Sequence, residues 1–193
     1  MQTTITLRSI DRALGDVMRE LGEAGLLTGR VGAVPVVAQA IDLAPFVLGY
    51  EGLYVEEPTT LDRLLGFEAR TIYIPLTTFS RCAATLGLAK RQSSSLRDVL
   101  RHELGHAFAV EHPSLVRRSA AFVRGFGAPY DAGAYDASDD DFITPYASTS
   151  PAEDFAETFM VYLRHQGDIA KYRGRRLVYR KLLFVRALAR AVV

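Results

Sequence analysis

The chain of 193 residues has a single cysteine, Cys82, which excludes an internal disulfide and a zinc cage built from thiolates. It has no apolar run approaching the ~18 residues of a membrane span, so no transmembrane helix is expected. Met1-Gln2-Thr3-Thr4 is not the start of a basic segment followed by an apolar core. A signal peptide is therefore not expected, and a cytoplasmic setting is the default, with export by a signal-free route as the alternative. Lys and Arg number 23 against 22 Asp and Glu, a net charge of +1, so no global field draws the chain to nucleic acid or a membrane surface. A glycine-rich phosphate loop, the G-x-S-x-G turn of serine hydrolases and any internal repeat are also missing.

What is present is an ordinary globular composition, 49% hydrophobic and 23% charged, at a length that suits one domain. Period-two and period-3.6 patterns divide it into a sheet-bearing part, 1–92, and a helical part, 93–193. Residues 8–27 read as an amphipathic helix. Strands are expected at 34–41, 52–56 and 68–75, the last ended by Pro75, with a short helical turn at 60–65 and a helix at 76–88. Further helices are expected at 95–111, 114–126 and 151–165. Residues 125–143 form a long loop whose acidic run, Asp136 to Asp141, lacks the Gly and distal Glu of a Ca²⁺ loop. The fold class expected is α+β: a small twisted mixed sheet, an active-site helix and a helical C-terminal half.

The most informative stretch is His102-Glu103-Leu104-Gly105-His106, an H-E-x-x-H string. Residues four apart share a helix face, so the two imidazoles can converge on one point. Two neutral imidazoles about 2.0–2.1 Å from a common centre suit Zn²⁺. Glu103, one residue round the helix, can reach a zinc-activated water as general base. Leu96, Val99, Leu100, Leu104, Ala107 and Phe108 give the segment an apolar stripe, and Ser95 with Asp98 gives it an N-cap.

A catalytic zinc keeps three protein ligands. Two residues compete for the third place. His112 has the spacing of a metzincin site, but Ala109 stands where that pattern has glycine. On a continuing helix His112 lies about 240° round the axis from His106 and points away. Its expected role is a cation at the helix end. Glu153 opens a second helix, with Pro151 at its first position and Glu157 one turn on. We expect Glu153 as the ligand and Glu157 as the hydrogen-bond partner that fixes a ligand histidine's tautomer.

These three pieces together, His102 to His106, Tyr146, and Glu153-Asp154-Phe155-Ala156-Glu157-Thr158-Phe159, resemble the gluzincin-like peptidases related to the catalytic domain of anthrax lethal factor and to the Pro-Pro endopeptidases. Tyr146-Ala147-Ser148-Thr149-Ser150-Pro151 is also similar to bacterial zinc-metallopeptidase families. The resemblance covers about 95–165 and implies a zincin-like fold. It implies zinc on His102, His106 and Glu153, Glu103 as base and later acid, and Tyr146 as the donor to the developing oxyanion. By analogy with zincins, the strand at 69–75 would be the edge along which a protein or peptide substrate pairs. Asp154 departs from the pattern, which commonly has an aromatic residue there.

Two other readings stay open: a regulatory protease of the ImmA/IrrE type, and a non-catalytic zinc or partner-binding module. The module reading relies on the segment 171–190, which carries eight Lys and Arg and no acid; its apolar residues recur at helical spacing, so the element expected there is an amphipathic terminal helix with a solvated basic side. A chain cut after about residue 168 would separate these: a protease survives the cut if its core still folds, and a tail-based binder cannot.

Overall fold

The computed structural model of the chain describes residues 5–41, 51–77, 95–133 and 141–192. Three strands form a mixed sheet in the order β1-β3-β2: β1 is Val36–Ile41, β2 Leu53–Val55 and β3 Thr71–Thr77. β1 runs parallel to β3, with Val36 opposite Ile72, and β2 runs antiparallel, with Tyr54 opposite Ile72. Alternation along β3 sends Ile72 and Ile74 into the main core, while Tyr73 joins Val55 and Phe67 in a smaller cluster.

The expectation for β3 needs two corrections. It is the central strand, not the edge, because β1 and β2 both pair with it. It also continues through Pro75 to Thr77, where a helix was expected to begin. The Ile72 amide donates to Pro35 on the β1 side, so alternate amides face β2. The β2 pairing runs from Thr71 to Tyr73, so the N–H that Pro75 lacks falls on the β2 side, beyond that ladder. The rest of the helix expected at 76–88 lies outside the described residues, as does most of the acidic run at 136–141.

Seven α-helices complete the described chain: α1 Leu7–Glu23, α2 Gly29–Gly32, α3 Thr60–Leu64, α4 Leu96–Glu111, α5 Ala120–Phe126, α6 Pro151–Arg164 and α7 Arg176–Ala191. The class is α+β. Thr6 caps α1 in a reciprocal box with Ser9, and Ser95 caps α4 by accepting from the Asp98 amide. The helix expected from Ser114 begins only at Ala120, where Ser119 supplies the cap, and Gly127 ends it at φ 89°.

α4 runs through the core, with Leu100, Leu104, Ala107, Phe108 and Ala109 fully buried. Its polar side is buried too. Arg101 donates to Glu20 of α1 through two nitrogens, at 2.8 and 2.7 Å, and to Asp98 at 2.6 Å. Asp98 also accepts from Arg164 of α6 at 2.9 Å. These charges lock α4 to the helices on either side of it.

α7 is an amphipathic helix: one face packs into the core, while Arg176, Arg180 and Arg190 on the other stay exposed. Val178, Leu182 and Val185 are fully buried, and Leu188 nearly so. Lys181, in its middle, is buried against Asp154 of α6 at 2.6 Å and donates to the Asp141 carbonyl at 2.7 Å. That pair explains the acid at position 154: the lysine facing it needs a carboxylate. Among the described residues no helix is long and apolar enough to cross a membrane.

Candidate metal centre

His102 and His106 sit one turn apart on α4, half-buried, with Nε2 atoms 3.2 Å from each other. Ser150 caps α6 by accepting from the Glu153 amide, and Pro151 takes the first helical position. This start of the helix aims Glu153 at both rings: its Oε2 lies 3.1 Å from Nε2 of His102 and 3.4 Å from Nε2 of His106. A tetrahedral ion with bonds of about 2.0–2.1 Å keeps its ligands about 3.3–3.4 Å apart. The three atoms therefore outline one face of such a shell, and this set can hold a metal ion.

The chemistry of the donors points the same way. Glu153 Oε2 is buried and makes no hydrogen bond, although both ring nitrogens are near it. Two imidazole nitrogens facing each other and one unsatisfied carboxylate oxygen leave a cluster whose lone pairs call for a shared cation. Burial opposes charge on His102, but its contacts with Glu153 and Glu157 and the charge of Glu103 outweigh this and raise its pKa to about 10. Burial likewise favours a neutral Glu153, yet His102 and His106 hold it well below the ordinary carboxylate range. Surroundings that bind a proton this tightly also favour a divalent cation in its place.

The outer nitrogens are held as well. His102 Nδ1 is 2.8 Å from Oε1 of Glu157. Thr144 donates to the other oxygen of Glu157 at 2.8 Å and accepts from the Ala147 amide. His106 Nδ1 is 3.1 Å from the hydroxyl of Tyr130. Neither Thr144 nor Tyr130 was legible in the sequence, because each lies between α5 and α6, outside any helix or strand pattern and with no motif around it.

Glu103 is buried, and its Oε2 accepts from the main-chain amide of Tyr54 on β2 at 2.8 Å. Gly52 makes this approach possible: a Cβ there would come within 2.4 Å of Val99 Cγ1 and 3.1 Å of Glu103 Oε1. Gly105, inside the motif, plays a similar part between helices. A Cβ at that position would lie 3.1 Å from Cα of Ala156 and 3.3 Å from Cβ of Phe159. The close crossing of α4 and α6 that brings Glu153 to the histidines depends on its absence.

Tyr146 lies on a 3₁₀ turn, Tyr146–Thr149, with its ring 5.9 Å from that of His102 and 55% of its surface exposed. Desolvation and then the charges of Glu153, Glu103 and Glu157 push its phenol up to about 12. His112 is not part of the cluster. It caps α4, lies with its ring tilted 41° to that of Phe108 at 4.7 Å and shares a hydrogen bond of 2.9 Å with Thr28. Burial and then the charge of Arg30 lower its pKa, so the helix-end cation expected there is not favoured.

The metal-site geometry has an independent counterpart. Residues 91–178, a little under half of the chain, match a family model described as "Putative zinc-binding metallo-peptidase". The matched segment contains all three donors, Glu103, Tyr146 and Glu157. No curated protein and no solved structure matches the chain.

Proposed function

We propose that the chain is a zinc-dependent metalloendopeptidase of gluzincin type. The observation that carries this reading is the triangle of His102, His106 and Glu153 donor atoms at 3.1–3.4 Å, on the segment that matches a zinc-binding family model. When bound there, zinc would act as a Lewis acid toward a scissile carbonyl and lower the pKa of a water from 15.7 to about 7.

The residues of the chain do the rest. Glu157 holds His102 with Nδ1 protonated and Nε2 turned to the centre. Glu103 takes the proton of the attacking water and later delivers it to the leaving amine. The amide of Tyr54 fixes one oxygen of that carboxylate and leaves the other for the proton. Tyr146 donates its phenolic hydrogen to the carbonyl oxygen as it gains charge. A phenol pushed up to about 12 stays protonated, and therefore a donor, across the neutral range. β2, which meets Glu103, is the strand beside which an extended protein or peptide substrate would lie.

The reading of the C-terminal helix as a partner-binding tail has less support, because packing in the core already accounts for its apolar residues. Elemental analysis tests the main proposal. Near-stoichiometric zinc is expected in the wild type and in His112→Ala, and none in Glu153→Ala. A peptide-library screen should then show cleavage that disappears in Glu103→Ala. Zinc lost in His112→Ala and retained in Glu153→Ala would overturn the ligand set.

A further inference from the structure

Resting on that reading, we propose that Tyr130 is a positioning residue of the metal centre: its hydroxyl accepts the Nδ1–H of His106 and so fixes the tautomer whose Nε2 faces Glu153. A neutral imidazole carries one N–H, and a histidine that coordinates through Nε2 must carry it on Nδ1. His102 has a carboxylate, Glu157, to hold that hydrogen. His106 has a phenol at 3.1 Å.

The phenol is held from several sides. Tyr130 is 5% exposed, and its ring meets Phe122 and Phe155 edge-on, at centroid distances of 5.6 and 6.1 Å. Phe155 belongs to α6, two residues beyond Glu153, so the packing that fixes Tyr130 comes from the helix that brings the carboxylate. The Arg117 guanidinium lies 5.7 Å from the Tyr130 ring centroid. Arg117 is itself gripped by Asp131 at 2.7 Å and by Glu56, which directly follows β2. A pinned acceptor next to a metal-facing imidazole suits it to set that ring's orientation.

Tyr130→Phe in the full chain tests this, since it removes one oxygen and keeps the ring packing. The probes are zinc affinity, by competition with a chromophoric chelator, and the ring nitrogen and proton spectra of the histidines. Affinity should fall about tenfold, the lower end of what losing such a partner does. The His106 ring signals should move while those of His102 stay in place.

Phe67→Leu, in the separate small cluster with Val55 and Tyr73, serves as the packing control and should change neither readout. Wild-type affinity with unmoved His106 signals in Tyr130→Phe would overturn the role. So would an equal loss of affinity in Phe67→Leu. A wild type that binds zinc while Tyr130→Phe binds it equally leaves the proposed function standing and removes only this inference. A wild type that binds none removes both.

Discussion

Helices α4 and α6 and the sheet side of the molecule meet the same centre in different ways. The helices supply every donor atom, Nε2 of His102 and His106 and Oε2 of Glu153, and their crossing at Gly105 sets the spacing of those atoms. Among its described residues the sheet-bearing part, helix α1 included, supplies no donor. It reaches the centre through the Tyr54 amide on Glu103, through the room left at Gly52, and through the grip of Glu20 of α1 on Arg101. On the proposed function, holding a metal and placing the base beside it are separable tasks. Substitutions on the two sides should therefore fail in different ways.

The largest effect is expected from removing α7. A chain ending at residue 168 loses the five core residues Ile169, Val178, Leu182, Val185 and Leu188. At about 1.5–3 kcal/mol for each buried side chain this approaches the whole stability of a domain. Such a chain should show no cooperative unfolding by circular dichroism, so its loss of activity would say nothing about tail binding. A cooperative transition in the cut chain would show that the helical side does not need α7.

Next comes the clamp between the two sides. Arg101→Leu strands the buried Glu20 carboxylate and should cost about 3–5 kcal/mol in urea unfolding. Adding Glu20→Leu should recover much of it, because the pair itself contributes little beyond satisfying both charges. Failure of the double variant to recover would mean that the clamp matters for geometry as well as charge.

The paired glycines sharpen the comparison most directly. Gly52→Ala forces β2 away from α4 at Val99, and overpacking of this kind costs about 1–3 kcal/mol. It should lower peptide cleavage while zinc stays near stoichiometric. Gly105→Ala spreads α4 from α6 and should weaken zinc binding itself. Equal loss of zinc in both would show that the two tasks are not separable.

The smallest effect is a pH dependence at the start of α4. Burial opposes ionisation of Asp98, but Ser95, Arg164 and Arg101 outweigh it and keep its pKa below the ordinary value. A depressed carboxylate contributes stability that is present above its unfolded value, about 3.9, and lost as pH falls through the folded one. Asp98→Asn should therefore flatten the acid limb of stability below about pH 4, read from urea midpoints at successive pH values. An unchanged limb would assign it to other carboxylates.

The sequence by itself determined what is local. The i, i+4 spacing of His102 and His106, the Ser95 and Ser150 caps, Pro151 at a helix start and the alternation along β3 all follow from repeats of two or 3.6 residues. Such repeats show within a short window, and so did the pairing of Glu153 with Glu157. Only the tertiary structure decided the rest. β3 became central because β1 and β2 both found it. Arg101, Glu20 and Lys181 went inside because a partner from another helix met each of them. Tyr130 reached His106 across 24 residues. Each of these contacts joins positions far apart in the chain, and a charge or a hydroxyl reads as a surface residue until the fold brings its partner.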